Sequence, residues 1–180
     1  VSTGPHWQAS NGDQWKLATG ATLDWSNRHK DAASPLFELA WTRRNARESL
    51  IKSYFSFSEA TQVPGYTALA SNANGGLFRG NSELGRERSQ NWEIGFSGKW
   101  GNTSLRSALF HRRDRDLVDW VFEEPEGTFS SRFADNVDLD TTGIELALEY
   151  LGRNVETRLG YTYLVKDEDY LERLPTVITT

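Results

Sequence analysis

The sequence predicts an all-β chain of about eight antiparallel, up-and-down strands, a segment of a larger transmembrane β-barrel that on its own is an open curved sheet. Three observations predict it. Residues 91–100 alternate strictly, with Trp92, Ile94, Phe96 and Trp100 on one face and Asn91, Glu93, Gly95, Ser97 and Lys99 on the other. The apolar faces carry large aromatics near both ends, as an aromatic girdle does. The connections alternate between short turns and long loops, the asymmetry of barrels with one turn end and one loop end.

The elements follow in order. Residues 1–9 make a partial strand, and Asn11-Gly12-Asp13 signals a tight turn. Residues 15–26 set Trp15, Leu17, Thr19, Ala21, Leu23 and Trp25 against Lys16, Ala18, Gly20, Thr22 and Asp24. Residues 27–35, with Pro35, read as loop. Phe37, Leu39 and Trp41 share a face of the next strand, and Ile51, Phe55 and Phe57 share a face of the one after. Residues 60–88 read as the longest strand-free stretch, a length more typical of binding loops than of plain connections. Residues 89–100 are a strand, Gly101-Asn102 a two-residue turn, and residues 103–122 a long strand whose facing is mixed from Ala108 to Arg113 and clear again at Val118, Trp120 and Phe122. Residues 123–133 read as loop. Ile144, Leu146, Leu148 and Tyr150 mark the penultimate strand, and Leu159, Tyr161, Tyr163 and Val165 the last. No helix is expected. Parity places the loops 27–35, 60–88 and 123–133 at one end and the turns near 11, 45, 101 and 152 at the other.

Bulk composition narrows the class. No segment approaches the roughly 18 or more consecutive apolar residues of a membrane helix, and the mean hydropathy of −0.61 agrees. Strands that need only alternate apolar residues remain allowed. With no cysteine there is neither a disulfide framework nor a thiolate metal site. A net charge of −5 with dispersed basic residues argues against a nucleic-acid partner. A soluble β-sandwich or lipocalin-like barrel also alternates. The faces that mix charge, small residues and glycine suit a wet lumen as well as solvent. The chain opens Val1-Ser2-Thr3 without a signal peptide and closes in a polar tail. It is therefore expected to be part of one β-barrel domain, 1–180, truncated at both ends.

Several segments resemble TonB-dependent outer-membrane receptors. Gly80 to Gly95 is similar to the family's loop-to-strand pattern G-N-P-x-L-x-x-E-x-S-x-N-x-E-x-G, with Ser82 where the family has proline. Thr61 to Leu69 resembles the R-x-P-x-Y-x-x-L loop start, with Gln62 in place of arginine. Leu105 to Trp120, Asn136 to Glu145 and Tyr161-Thr162-Tyr163-Leu164 resemble three later strand motifs in the same order. The resemblance implies a barrel of about 22 strands around a plug, in the outer membrane of a Gram-negative bacterium. It also implies TonB as a partner through a plug that this chain lacks, and import of a scarce small-molecule or glycan ligand such as an iron chelate, cobalamin or a glycan. Outer-membrane lipid is the other expected partner. A passive porin-like channel and a soluble β-sheet binding module are the alternatives.

The best ligand-binding segment is the 60–88 loop, which holds Tyr66, Asn72, Asn74, Arg79 and Asn81. Aromatics and amides suit a polar ligand. Asp135, Asp138 and Asp140 present oxygens, yet the glycine and glutamate of a calcium loop are not at their required spacing. The run Arg112-Arg113-Asp114-Arg115-Asp116 reads as a mixed-sign solvated face, or as a contact for an anionic lipid or substrate. His6, His29 and His111 lack triad or metal-ligand spacing, and no nucleophile or phosphate-loop motif is present. Neither an enzyme nor a cofactor or metal site is therefore expected.

Overall fold

The structure, a computed structural model, describes residues 2–9, 12–44, 49–71, 76–122 and 132–167. The strands are β1 (Ser2–Thr3), β2 (His6–Gln8), β3 (Asp13–Asp24), β4 (Ala32–Arg44), β5 (Leu50–Gln62), β6 (Phe78–Arg79), β7 (Glu87–Trp100), β8 (Thr103–Phe122), β9 (Arg132–Leu151) and β10 (Glu156–Lys166). One short helix, α1, spans Tyr66–Ala70. The sheet runs β1-β3-β4-β5-β7-β8-β9-β10, with β2 beside β1 on β3. Every neighbouring pair on that path is antiparallel. The two outer strands do not meet, so the sheet is open, as expected for eight strand positions of a larger barrel.

Register fixes the faces. Leu39, Phe55, Ile94, Leu109, Ile144 and Tyr163 align across six strands. All of this apolar row is exposed, Ile94 to 60%. None of Phe37, Trp41, Phe96, Leu146, Leu148, Leu159 or Tyr161 is buried either. The opposite face is polar. There Tyr54 lies flat over Gly95, where a Cβ would overlap its ring, and donates a hydrogen bond to Glu93. Gly101 closes the β7–β8 turn at φ +56, in the left-handed region where glycine is unstrained.

Several expectations are corrected. Residues 32–35 belong to β4, with Pro35 opposite Ala21. Residues 60–62 extend β5 and pair with residues 87–89 of β7. The long connection is thus 63–86, and it contains a helix and a two-residue strand that the sequence did not signal. The mixed facing of β8 has a local cause, a β-bulge between Asp114 and Leu117. Asp116 sits at φ 54 there. The extra residue shifts the alternation by one, so Leu105 and Leu109 share a face with Val118 and Trp120 although their numbers differ in parity. Of residues 123–133, expected as loop, Arg132 and Phe133 belong to β9, and 123–131 lie outside the described residues.

Candidate functional site

Antiparallel parity puts the β3–β4 connection, the 63–86 loop and the β8–β9 connection at one end of the sheet. The 63–86 loop is built rather than slack. Asn81 N–H donates to Ala68 O (2.7 Å) and Gly80 N–H to Ser71 O (2.6 Å), folding the segment back onto α1. Leu84, Ala68 and Ala134 form a small buried core, with Leu69, Val118 and Trp120 packed against it. β6 adds in parallel to β9, Phe78 opposite Arg132. Phe78 meets Trp120 edge to face at 5.4 Å.

Two side chains stitch the loop to its neighbours. Arg86 Nη1 donates to Asp24 Oδ2 and, at 3.3 Å, to Thr61 Oγ1, while Nη2 donates to Lys30 O at 2.9 Å. Asn136 accepts from Gly85 N–H at 2.7 Å and donates to Asp116 O at 2.6 Å, so it locks the loop to the bulge.

The sequence-predicted site residues separate on this frame. Arg79 and Asn81 come together in a cleft of about 380 Å³ with Leu69 and Phe133. Asn81 Oδ1 also accepts from Glu83 N–H at 2.9 Å, so the side chain shapes the loop. Tyr66 opens α1, 77% exposed, and does not line that cleft. Asn72 and Asn74 lie outside the described residues. On the polar face of β5, β7 and β8, a larger concavity of about 570 Å³ includes Glu87, Glu93, Phe110, Arg112 and Asp114. Sequence reading placed Arg112 and Asp114 only in a mixed-sign charged run and assigned Glu87, Glu93 and Phe110 no site role, although their alternation with the apolar face is the signal that finds them.

The aspartates pair with arginines. Arg115 donates to Asp140 at 2.8 and 3.3 Å, and Arg115 also approaches Asp138 at 3.6 Å. Arg112 donates to Asp114 at 2.9 Å. Asp135 Oδ1 accepts from Asn136 N–H. Among the described residues no group of three or more acidic or histidine side chains is placed to hold a metal ion. Above the apolar band, the hydrogen bond from Arg115 holds the Asp140 carboxyl below the usual carboxylate range.

The apolar face has a slant. Its stripe runs from Trp15 to Trp25 on and just beyond β3, and from Val155, just before β10, to Val165 within it. The centre of the first, Gly20, is level through Leu36, Ser58, Asn91, Arg112 and Thr141 with Lys166. The centre of the second is Gly160, six residues away across six strand-to-strand steps. A drift of one residue per strand, at about 3.3 Å rise and about 4.8 Å spacing, is a strand tilt of about 35°. Transmembrane barrels tilt their strands by about 35–45°.

Comparison with known proteins agrees. The family described as TonB dependent receptor-like, beta-barrel, matches residues 6–178. The chain belongs to the TonB-dependent receptor β-barrel family. That family resides in the outer membrane of Gram-negative bacteria and serves as receptors and transporters. Among solved structures, the copper transporter OprC is similar, with a TM-score of 0.60 at 19% identity, over 91% of this chain and 28% of that one. At that identity the likeness is one of fold, and the chain spans less than a third of that protein. No curated protein matches.

Proposed function

We propose that this segment is wall and surface loop of a TonB-dependent barrel that imports a scarce ligand across the outer membrane. The slanted apolar stripe carries the reading. It is the trace of a flat bilayer across tilted strands, and a soluble sandwich has no reason to expose it. The polar face then lines the lumen, and a plug contributed by the rest of the protein makes the TonB contact. The ligand is a small molecule or glycan (iron chelate, cobalamin or carbohydrate), met first at the 63–86 loop. Arg79 and Asn81 are the described side chains best placed for it, and Tyr66 adds an exposed aromatic at the rim.

Uptake of labelled candidate ligands by cells producing the complete receptor tests this. Uptake should vanish when TonB is deleted; persistence without TonB would favour a passive channel. Arg79→Ala should weaken ligand binding with barrel assembly unchanged. Deletion of residues 70–78 without loss of uptake would remove the loop from the site.

A further inference from the structure

The polar face is layered by charge. Near the level of the stripe centres it carries Glu38, Glu93 and Glu145; in the rows nearer the turns it carries Lys52, Lys99 and Arg106. Lys52 and Arg106 share one row, on either side of Ser97. Ile94 is level with Gly20 and Gly160 once the drift of one residue per strand is applied. Ser97 therefore lies about 8 Å to the turn side of that level.

The neighbouring carboxylates are engaged elsewhere or held off. Glu38 stands 3.7 Å from Lys52 and 4.0 Å from Lys16, so two lysines share it. Glu93 accepts from the Tyr54 hydroxyl. On β9 the diagonal neighbours of Arg106 are Glu145 and Glu149. Glu149 accepts from Arg158 at 2.9 Å, and among the described residues Arg106 forms no ion pair with either. The wall is hollow beside these cations. A recess of about 630 Å³ is lined on its turn side by Lys52, Ser97, Arg106, Ala147 and Gly160. At Gly160 a Cβ would meet nothing within 4 Å, and its φ is not positive. Neither packing nor backbone conformation demands glycine there; its effect is to deepen the recess. The volume is that of a small-molecule site.

We propose that Lys52, Ser97 and Arg106 form an oxyanion subsite on the turn-side half of the lumen, which holds a carboxylate or phosphate group of the imported solute once that group has passed the carboxylate level. The proposal rests on the import reading above and adds a charge class to the ligand. The guanidinium fork, the ammonium and the serine hydroxyl are all donors, and an oxyanion between them is an acceptor with several lone pairs. Glu93 and Glu145 repel the same group. A solute with one anionic end therefore crosses this wall with that end toward the turns.

The test uses the complete protein in nanodiscs of neutral phosphatidylcholine, dialysed to equilibrium with radiolabelled succinate, inorganic phosphate or sucrose. The two anions should bind saturably, more weakly as salt rises, and sucrose should not. Tighter succinate assigns the subsite to a carboxylate, and tighter phosphate to a phosphate. Arg106→Gln and Lys52→Gln should each weaken anion binding about ten-fold. Arg106→Lys should keep most of it, and Arg153→Gln in the β9–β10 turn should change nothing. Gly160→Leu fills the recess without altering its charge and should block binding. Failure of the unmodified protein to bind either anion, an arm that needs no variant, would overturn the proposal. So would sucrose binding as tight as that of the anions, or unchanged anion binding in the Lys52→Gln, Arg106→Gln double variant or in Gly160→Leu. A protein that enters no bilayer overturns the barrel reading; one that inserts and imports through TonB yet binds neither anion overturns the subsite alone.

Discussion

The sheet on the two sides of the β8 bulge solves the same problem in opposite ways. On the turn side, large apolar side chains stay exposed and the buried hydrophobic residues are small, Ala18 and Ala40 on the polar face. On the loop side, Leu84, Val121, Ala134 and Val137 are buried and a folded loop covers the strands. The difference teaches where the solvent changes. A wall bathed in lipid leaves its large apolar side chains facing outward, whereas an extension standing in water must assemble a core of its own. The bulge marks the boundary. It turns the β8–β9 ladder by one residue and gives Asn136 a carbonyl, that of Asp116, to hold.

The sharpest way to break the comparison is a charge in the belt. Ile94→Arg should cost about 2–4 kcal/mol in unfolding from phosphatidylcholine vesicles, and Gln90→Arg, past the belt on the same strand, about 0–1 kcal/mol. Equal costs would mean that the two regions share one solvent. Leu84→Ala should remove about 2–4 kcal/mol from the loop core. Hydrogen exchange should then quicken at residues 66–71 and 76–86 and leave β3 to β5 protected; uniform loss of protection would show that the loop is not a separate unit. Asn136→Ala should cost about 1–2 kcal/mol, seen as faster exchange of the Gly85 amide. The smallest effect is acid dependence. Asp140 titrates below its unfolded value, so its contribution is present above about pH 4 and is lost as pH falls through the lowered folded value. In Asp140→Asn that part of the acid destabilisation should disappear from pH-dependent unfolding curves.

Much of the wall was legible because lipid exposure imposes a strict period of two. β7 and β10 show it over most of their length, broken only at Gly98 and Leu164, and the alternating connection lengths give the topology. The misread boundaries have separate causes. Pro35 reads as a breaker, yet it stands in β4 opposite Ala21, in a strand that runs from Ala32. The bulge is silent because Asp116, not glycine, takes the positive φ. α1 is one turn long without a side-chain cap, below what periodicity detects. At the loop, Arg79 and Asn81 are close in the sequence and their proximity was readable. The reach of Arg86 to Asp24, and of Gly85 to Asn136, spans 62 and 51 residues and depends on the closed register between.

The seat of Tyr54 on Gly95 sets the free cross-section of the wall. With no Cβ beneath it, the aromatic ring lies along the strands instead of projecting from them, and its hydroxyl is fastened to Glu93. Any side chain at position 95 would lift the ring off the wall and narrow the bore by about the thickness of an aromatic plane. A missing methyl group on one strand thereby helps decide how large a solute, or how thick a packed domain, the finished cylinder can admit.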